Sequence, residues 1–315
     1  MRLALVTPAG PGTRNGNRHT ALRWAAFLRK AGHRVGVTVQ WPGDEVDAML
    51  ALHARRSHDS IKRFARDKPL ILALTGTDVY RDIHESAEAR ESLELADRLV
   101  VLQPKAAEEL PPRLRRKVRV VVQSSSTRLR QRPLRGKFRV CVIGHLRAEK
   151  DPLRTLAALR LLSIELPVEV IHLGSALDTS LGKTLKAASD ARYRWLGSVP
   201  HARALRWLAS SHAMVISSRM EGGANVVCEA IRIGVPVLAS AISGNIGLLG
   251  EKYAGYFPVE DERALAGLIQ RAVTDKTFYR KLKTQIAPLR SMVAPPAEAR
   301  ALIAAVNSAA TARRG

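Results

Sequence analysis

Short apolar runs alternate along the chain with stretches whose apolar positions recur at helical spacing. Leu3–Thr7 reads as a buried strand, and Thr20–Lys30 carries Leu22, Ala25, Ala26 and Leu28 on one stripe that Gly32 ends. Val35–Val39, Ala48–Leu52, Leu70–Leu74, Leu99–Leu102 and Val118–Val122 read as further strands, with helices around Ile61–Arg66, Ser86–Ala96 and Lys105–Leu110. Strands alternating with helices predict parallel βαβ units and an α/β fold.

The pattern stops at Ser124 and restarts at Phe138. The second series has strands at Phe138–Ile143, Val168–Leu173, Tyr193–Leu196, Ala213–Ser217 and Val235–Ala239. Its helices fall at Pro152–Leu162, Leu181–Ala188, Ala202–Ala209, Asn225–Ile233 and Arg263–Thr274, followed by helical stretches at Thr277–Met292 and Pro296–Ala310. This predicts a first Rossmann-like domain over 1–123, a basic linker over 124–137, and a second Rossmann-like domain over 138–292. Residues 293–315 form a helical tail expected to pack back on the first domain.

Composition narrows the class. A chain of 315 residues suits about two domains at ~150 residues each. With 46% hydrophobic and 25% charged residues, disorder, collagen and coiled coil are excluded for the whole chain. The first apolar run, Leu3–Val6, is too short for a signal-peptide core, and no stretch approaches the ~20 residues of a membrane span. A cytoplasmic location is the expectation. Cys141 and Cys228 read as buried thiols in a reducing compartment. The histidines are scattered, with no Asp-x-Asp pair and no Cys/His cluster, so no metal is expected.

The net charge of +23 points to anionic partners. It is unevenly placed. No acid precedes Asp44, and none lies between Glu109 and Glu149, a gap holding Arg113, Arg115, Arg116, Lys117, Arg119, Arg128, Arg130, Arg132, Arg135, Lys137, Arg139 and Arg147. That gap reads either as a basic rim beside an anion site or as a solvated surface.

The stretch Ser217-Ser218-Arg219-Met220-Glu221-Gly222-Gly223-Ala224-Asn225, continuing to Cys228-Glu229-Ala230, concentrates the chemistry. A strand ends, a glycine loop follows, and a helix begins. Glycines let backbone amides approach a ligand, and the helix start carries partial positive charge, so the segment suits an anion. Glu221 and Glu229 can both face the crevice at the strand's carboxyl end, where they suit sugar hydroxyls. Capping of the helix is the plainer alternative for both.

The spacing Glu221…Glu229, with Gly222, Asn225 and Ala230, resembles the signature of family 4 nucleotide-sugar glycosyltransferases of the GT-B fold. Trp195-Leu196-Gly197-Ser198-Val199-Pro200 and Gly234-Val235-Pro236-Val237-Leu238-Ala239-Ser240 agree with it. The resemblance implies two Rossmann-like domains facing a central cleft. It implies that Glu229 binds the nucleotide ribose, and that Glu221 with Gly222, Gly223, Ala224 and Asn225 holds the donor sugar, Val199 lying in the matched stretch. In that family a basic loop after the domain's first strand holds the diphosphate. In Gly144-His145-Leu146-Arg147-Ala148-Glu149-Lys150-Asp151-Pro152, Lys150 matches the lysine. His145 stands where an arginine is expected, and Arg147 is the favoured substitute. Glu221, Arg147 and Lys150 are the candidate catalytic residues.

In the first domain, the loop Pro8–Asn17 leads into a helix. Gly10, Gly12 and Gly16 miss the dinucleotide fingerprint, and the next strand lacks a nearby acid for a ribose. The GT-B resemblance instead assigns Gly16 to the donor side and Arg14, Asn15 and Asn17 to the acceptor. Thr75-Gly76-Thr77-Asp78-Val79-Tyr80-Arg81-Asp82 follows a buried strand, and the histidine that many retaining members place near here is missing. Thr77, Asp78 and Arg81 are candidate acceptor contacts, with Asp78 as a helix N-cap the alternative.

Across both domains, the Pro8–Thr20 loop, Ala73–Asp78 and Gly144–Pro152 resemble the selenosugar synthases of selenoneine biosynthesis (SenB type). That resemblance implies a UDP-sugar donor (UDP-N-acetylglucosamine or UDP-glucose) and selenophosphate as acceptor, with UDP and phosphate released. It also implies partner enzymes of a pathway, and neither nucleic acid nor membrane as partner. A conventional glycosyltransferase acting on a lipid or glycan, and a basic RNA-binding protein on a GT-B scaffold, are the alternatives. With only 4% aromatic residues, stacking platforms for RNA are scarce.

Overall fold

The computed structural model describes residues 1–12, 16–64, 68–188 and 190–312. The chain forms two compact units, Met1–Ser124 with Pro295–Gly315, and Ser125–Ala294. Arg14 and Asn15 lie outside the described residues.

The first unit is a six-stranded parallel sheet of β1 (Arg2–Val6), β2 (Arg34–Thr38), β3 (Ala48–Leu52), β4 (Leu70–Leu74), β5 (Arg98–Val101) and β6 (Val118–Val120). Its order is β2-β1-β3-β4-β5-β6. Helices α1 (Gly16–Lys30), α2 (His58–Phe64), α3 (Ile83–Glu85), α4 (Ala87–Leu95) and α5 (Pro112–Arg115) cross between strands. The stretch read as a helix at Lys105–Leu110 is a 3-10 turn, Pro104–Glu109, with the proline at its start.

Alternation explains why β3 and β4 are apolar throughout. Ala4, Val6, Met49, Ala51, Leu70, Leu72 and Leu74 enter the core on one face of the sheet. Leu3, Leu5, Ala48, Leu50, Leu52, Ile71 and Ala73 enter the core on the other. A parallel sheet covered on both sides needs both sets.

The second core also takes Leu302, Ala305, Val306 and Ala309 from the last helix, numbered α13 below. Glu298 on that helix is 1% exposed. Its carboxylate accepts from Arg23, from Trp24 Nε1 at 2.7 Å and from the Ser124 amide at 2.8 Å.

The second unit is also parallel: β7 (Phe138–Ile143), β8 (Val168–Leu173), β9 (Tyr193–Trp195), β10 (Ala213–Ile216), β11 (Val237–Ser240) and β12 (Tyr256–Phe257), ordered β12-β11-β10-β7-β8-β9. Its helices are α6 (Arg154–Arg160), α7 (Thr179–Ala187), α8 (His201–Ala209), α9 (Asn225–Ile233), α10 (Ser243–Leu249), α11 (Glu262–Thr274) and α12 (Lys276–Ile286); α13 (Pro295–Ala312) follows in the first unit. The segment read as a linker is extended and bonded to the second unit. Gln131, Arg132 and Leu134 donate backbone amides to Ile233, Ala209 and Ser210. Both cysteines are buried thiols outside any disulfide, and burial pushes the Cys141 thiol up to about 12.

Candidate active site

Strand order decides where the second unit can bind a ligand. Connections leave β7 and β10, which are hydrogen-bonded neighbours, in opposite directions across the sheet. Such a switch point opens a crevice at the carboxyl ends of the two strands. The loops leaving it are Gly144–Leu153 and Ser217–Ala224, the two segments singled out in the sequence.

Hydrogen bonds tie these loops together. Ser217 Oγ donates to the carbonyls of Lys150 (3.1 Å) and Asp151 (2.8 Å), and the Arg219 amide donates to Glu149 O at 2.9 Å. Lys150 Nζ forms an ion pair with Glu221 Oε1, which also accepts from Ser218 Oγ at 2.6 Å. The two side chains are only 20% and 10% exposed. The loop is braced from behind by Ser240 Oγ on Ser218 O at 2.6 Å. Gly244 on α10 presses on its turn: a Cβ there would lie 2.0 Å from Glu221 O.

Gly222 is buried and Gly223 half-buried as the chain enters α9. The cap, Ala224, offers no side-chain acceptor, and the first turn holds no acid. The positive end of the helix is therefore not answered by a carboxylate of its own. Glu229 sits a turn further on and is 13% exposed, with Oε1 2.7 Å from His201 Nε2. That contact raises the His201 pKa above its ordinary value, against a smaller opposing effect of burial.

The first loop rests on glycine. Gly174, after β8, has φ +153°, and a Cβ there would lie 1.9 Å from Gly144 O. His172 is held neutral by burial, with its pKa lowered to about 4. Its Nε2 therefore donates to Gly144 O at 3.0 Å, and Nδ1 accepts from the Tyr193 hydroxyl at 2.6 Å. His145 Nδ1 accepts from the Ser175 amide at 3.0 Å. Burial first, then Arg147 and Lys150, lower the His145 pKa. His145 is thus a neutral brace, and the loop's positive charge is carried by Arg147 and Lys150. Arg147 is about half exposed, with Nε 4.0 Å from Glu149. Val199 is half-buried in the turn before α8.

In the first unit, Gly16 and Asn17 open α1, and Thr77, Asp78 and Arg81 follow β4. Asp78 is corrected. It is fully buried, and its carboxylate accepts from the amides of Thr75 (3.0 Å), Gly76 (2.7 Å) and Ala54 (3.2 Å). A side chain so enclosed organises the turns after β3 and β4 and cannot contact an acceptor. Nor is it an N-cap: Thr77 takes that position, with no side-chain bond. Arg81 reaches Asp82 Oδ1 through Nε at 3.3 Å. Among the described residues, no group of three or more His, Cys, Asp or Glu is placed to hold a metal ion, and no helix is long and apolar enough to cross a membrane.

Sequence reasoning missed His201, which lies 28 positions before Glu229. The only signal available was its place directly after Pro200 at a helix start.

Two six-stranded parallel sheets with these connections make the protein an α/β protein of the GT-B architecture. Among solved structures, Anabaena Alr3699/HepE in complex with UDP superposes with a TM-score of 0.79 at 16% identity, over 98% of this chain and 99% of that one. Sucrose-phosphate synthase from Thermosynechococcus elongatus gives 0.74 at 17%, over 95% and 96%. A glycosyltransferase from Rickettsia africae gives 0.71 at 12%, over 95% and 96%. Residues 124–287 match the family described as glycosyl transferases group 1. The chain belongs to that family and is a glycosyltransferase.

Proposed function

We propose that the protein transfers a hexosyl group from a UDP-sugar to selenophosphate, forming a 1-selenosugar. The observation that carries the donor side is the Lys150–Glu221 pair at the switch point, beside the acid-free start of α9. It is supported by similar structures that hold UDP and UDP-glucose. The diphosphate lies against Lys150, Arg147 and the α9 amides, and the sugar hydroxyls against Glu221 and the Gly222–Ala224 backbone. Glu229 takes the ribose. Acceptor identity rests on the sequence resemblance across both domains.

Chemically, the selenium of selenophosphate attacks C1 of the sugar. The C1–O bond to UDP breaks, and its electron pair goes to the β-phosphate oxygen. Water then cleaves the Se–P bond, releasing phosphate. The nucleophile is already anionic and soft, so it needs orientation more than a general base. Lys150 and Arg147 are placed to offset the charge that grows on departing UDP. Attack from the face opposite UDP inverts C1, which suits a first unit with Thr75 and no histidine where β4 ends.

The test pairs UDP-glucose and UDP-N-acetylglucosamine with selenophosphate, glycan and lipid acceptors, following UDP release and product mass. Selenophosphate-dependent release of UDP and phosphate supports the reading. UDP release with a glycan or lipid alone assigns a conventional acceptor instead.

A further inference from the structure

The first unit has its own switch point, between β1 and β3, and the loops around it carry an arrangement the donor site does not explain. Asp82 is 2% exposed, yet three basic side chains converge on its carboxylate. Arg55, just past β3, approaches Oδ2 through Nε at 3.3 Å. Arg81, past β4, approaches Oδ1 through Nε at 3.3 Å. His53 Nε2 lies 3.7 Å from Oδ2 and, among the described residues, has no hydrogen-bond partner. His53 has φ +76°, a left-handed conformation that costs a non-glycine residue energy. Thr75 Oγ1, at the end of β4, is likewise buried without a partner among the described residues.

The geometry suits a small anion. Arg81 donates to the carboxylate through Nε, whereas Arg55 Nε forms an ion pair with Oδ2, which among the described residues has no hydrogen-bond partner; Asp82 thus draws both guanidinium groups to one point. The arginine side chains are 47% and 39% exposed, so both reach solvent. Asp82 faces both arginines, and Glu88 also acts electrostatically on Arg55. Two guanidinium groups drawn to one carboxylate, each with terminal N–H donors to spare, match the oxygens of a tetrahedral oxoanion better than a sugar hydroxyl. The place also fits, since open parallel sheets bind ligands at the carboxyl ends of strands beside a switch point.

We propose that Arg55 and Arg81, positioned by the buried Asp82 carboxylate, form the subsite that holds the phosphate group of the acceptor. This rests on the selenophosphate reading for the identity of that acceptor, but the subsite itself is specific to phosphate-type oxoanions. Arg55 and Arg81 contact the anion; Asp82 is a positioning residue.

The experiment measures acceptor kinetics at saturating UDP-sugar, inhibition by inorganic phosphate, UDP affinity and melting temperature in Arg55→Ala, Arg81→Ala and the double variant. Each single variant is expected to lose roughly tenfold in acceptor kcat/KM and in phosphate inhibition, with UDP affinity unchanged. Arg113→Ala, which removes equal charge from an arginine paired with Glu94 elsewhere on the unit, is expected to change neither. Folded variants that keep full acceptor efficiency and phosphate inhibition overturn the proposal. Loss of phosphate binding, measured by calorimetry, in variants of a protein that does not use selenophosphate keeps the subsite and rejects the acceptor's identity. If the alanine variants do not fold, Arg55→Gln and Arg81→Gln carry the same comparison, and retained phosphate binding in them overturns the proposal. Asp82→Asn tests positioning: it is expected to raise the acceptor KM with little change in kcat, and an unchanged KM removes Asp82 from the subsite.

Discussion

The proposed ribose role of Glu229, together with its contact to His201, predicts that donor affinity depends on pH. Glu229 is assigned to the ribose, yet in the free protein its Oε1 is 2.7 Å from His201 Nε2. A ribose hydroxyl must compete with that contact. The imidazole is two-thirds exposed, so the pair sits in high dielectric and is worth about 0.2–1 kcal/mol. The competition is therefore about 1.4- to fivefold in affinity. The His201 pKa is raised, so the charged pair is present in full below about 6.5 and is lost as pH rises through the raised value. Donor affinity should consequently improve with rising pH, while the small stabilisation of the fold from this pair disappears over the same window. Calorimetry with UDP-glucose is the assay, because UDP itself carries a terminal phosphate that titrates near pH 6. His201→Ala should bind more tightly than wild type at low pH and converge with it at high pH. Glu229→Ala should lose the pH dependence and about 1.5–3 kcal/mol of affinity, roughly ten- to 150-fold. Superimposable wild-type and His201→Ala profiles would falsify the competition.

Three further outcomes are expected. Lys150→Ala should lower turnover more than it weakens UDP-sugar binding, because leaving-group charge grows in the transition state; a higher KM at unchanged kcat would make Lys150 a uniform binding residue. Gly244→Ala forces a Cβ to 2.0 Å from Glu221 O, so the loop must shift, at a cost of about 1–3 kcal/mol by thermal melting and with weaker UDP-sugar binding; unchanged melting and binding would show that the loop yields freely. Glu298→Ala leaves Trp24 Nε1 and the Ser124 amide of the first unit without their buried acceptor and removes the carboxylate that pairs with Arg23, and should cost about 3–5 kcal/mol in denaturant unfolding; a loss under 1 kcal/mol contradicts the network's role.

What could be read from the sequence was what local pattern encodes. The bounds of β7, β8 and α9 coincide with the apolar runs and the loop residues around them. The first two are short runs that each end at a glycine, Gly144 and Gly174, and the third starts after two glycines and ends at Gly234, which adopts φ +92°. Elements that depend on tertiary contacts were not legible. Helix α10 has seven residues including two glycines, and its place is set by packing against the Glu221 turn. Asp78 looked available in sequence because nothing local shows that Ala54, from the turn after β3, also donates to it. The loop chemistry of Ser217–Asn225 and Gly144–Pro152 stood out by residue type. Their junction through Ser217 Oγ and the Lys150–Glu221 pair followed only from strand order, which places β7 beside β10.

The bond that defines the proposed reaction joins sugar C1 to selenium, and nuclear magnetic resonance reads it directly. The protein is incubated with UDP-sugar labelled with carbon-13 at C1 and with selenophosphate enriched in selenium-77. A product whose C1 signal is split by one-bond coupling to selenium, formed together with UDP, is the predicted result. A C1 signal without that coupling, from sugar attached to oxygen or released as free hexose, contradicts it.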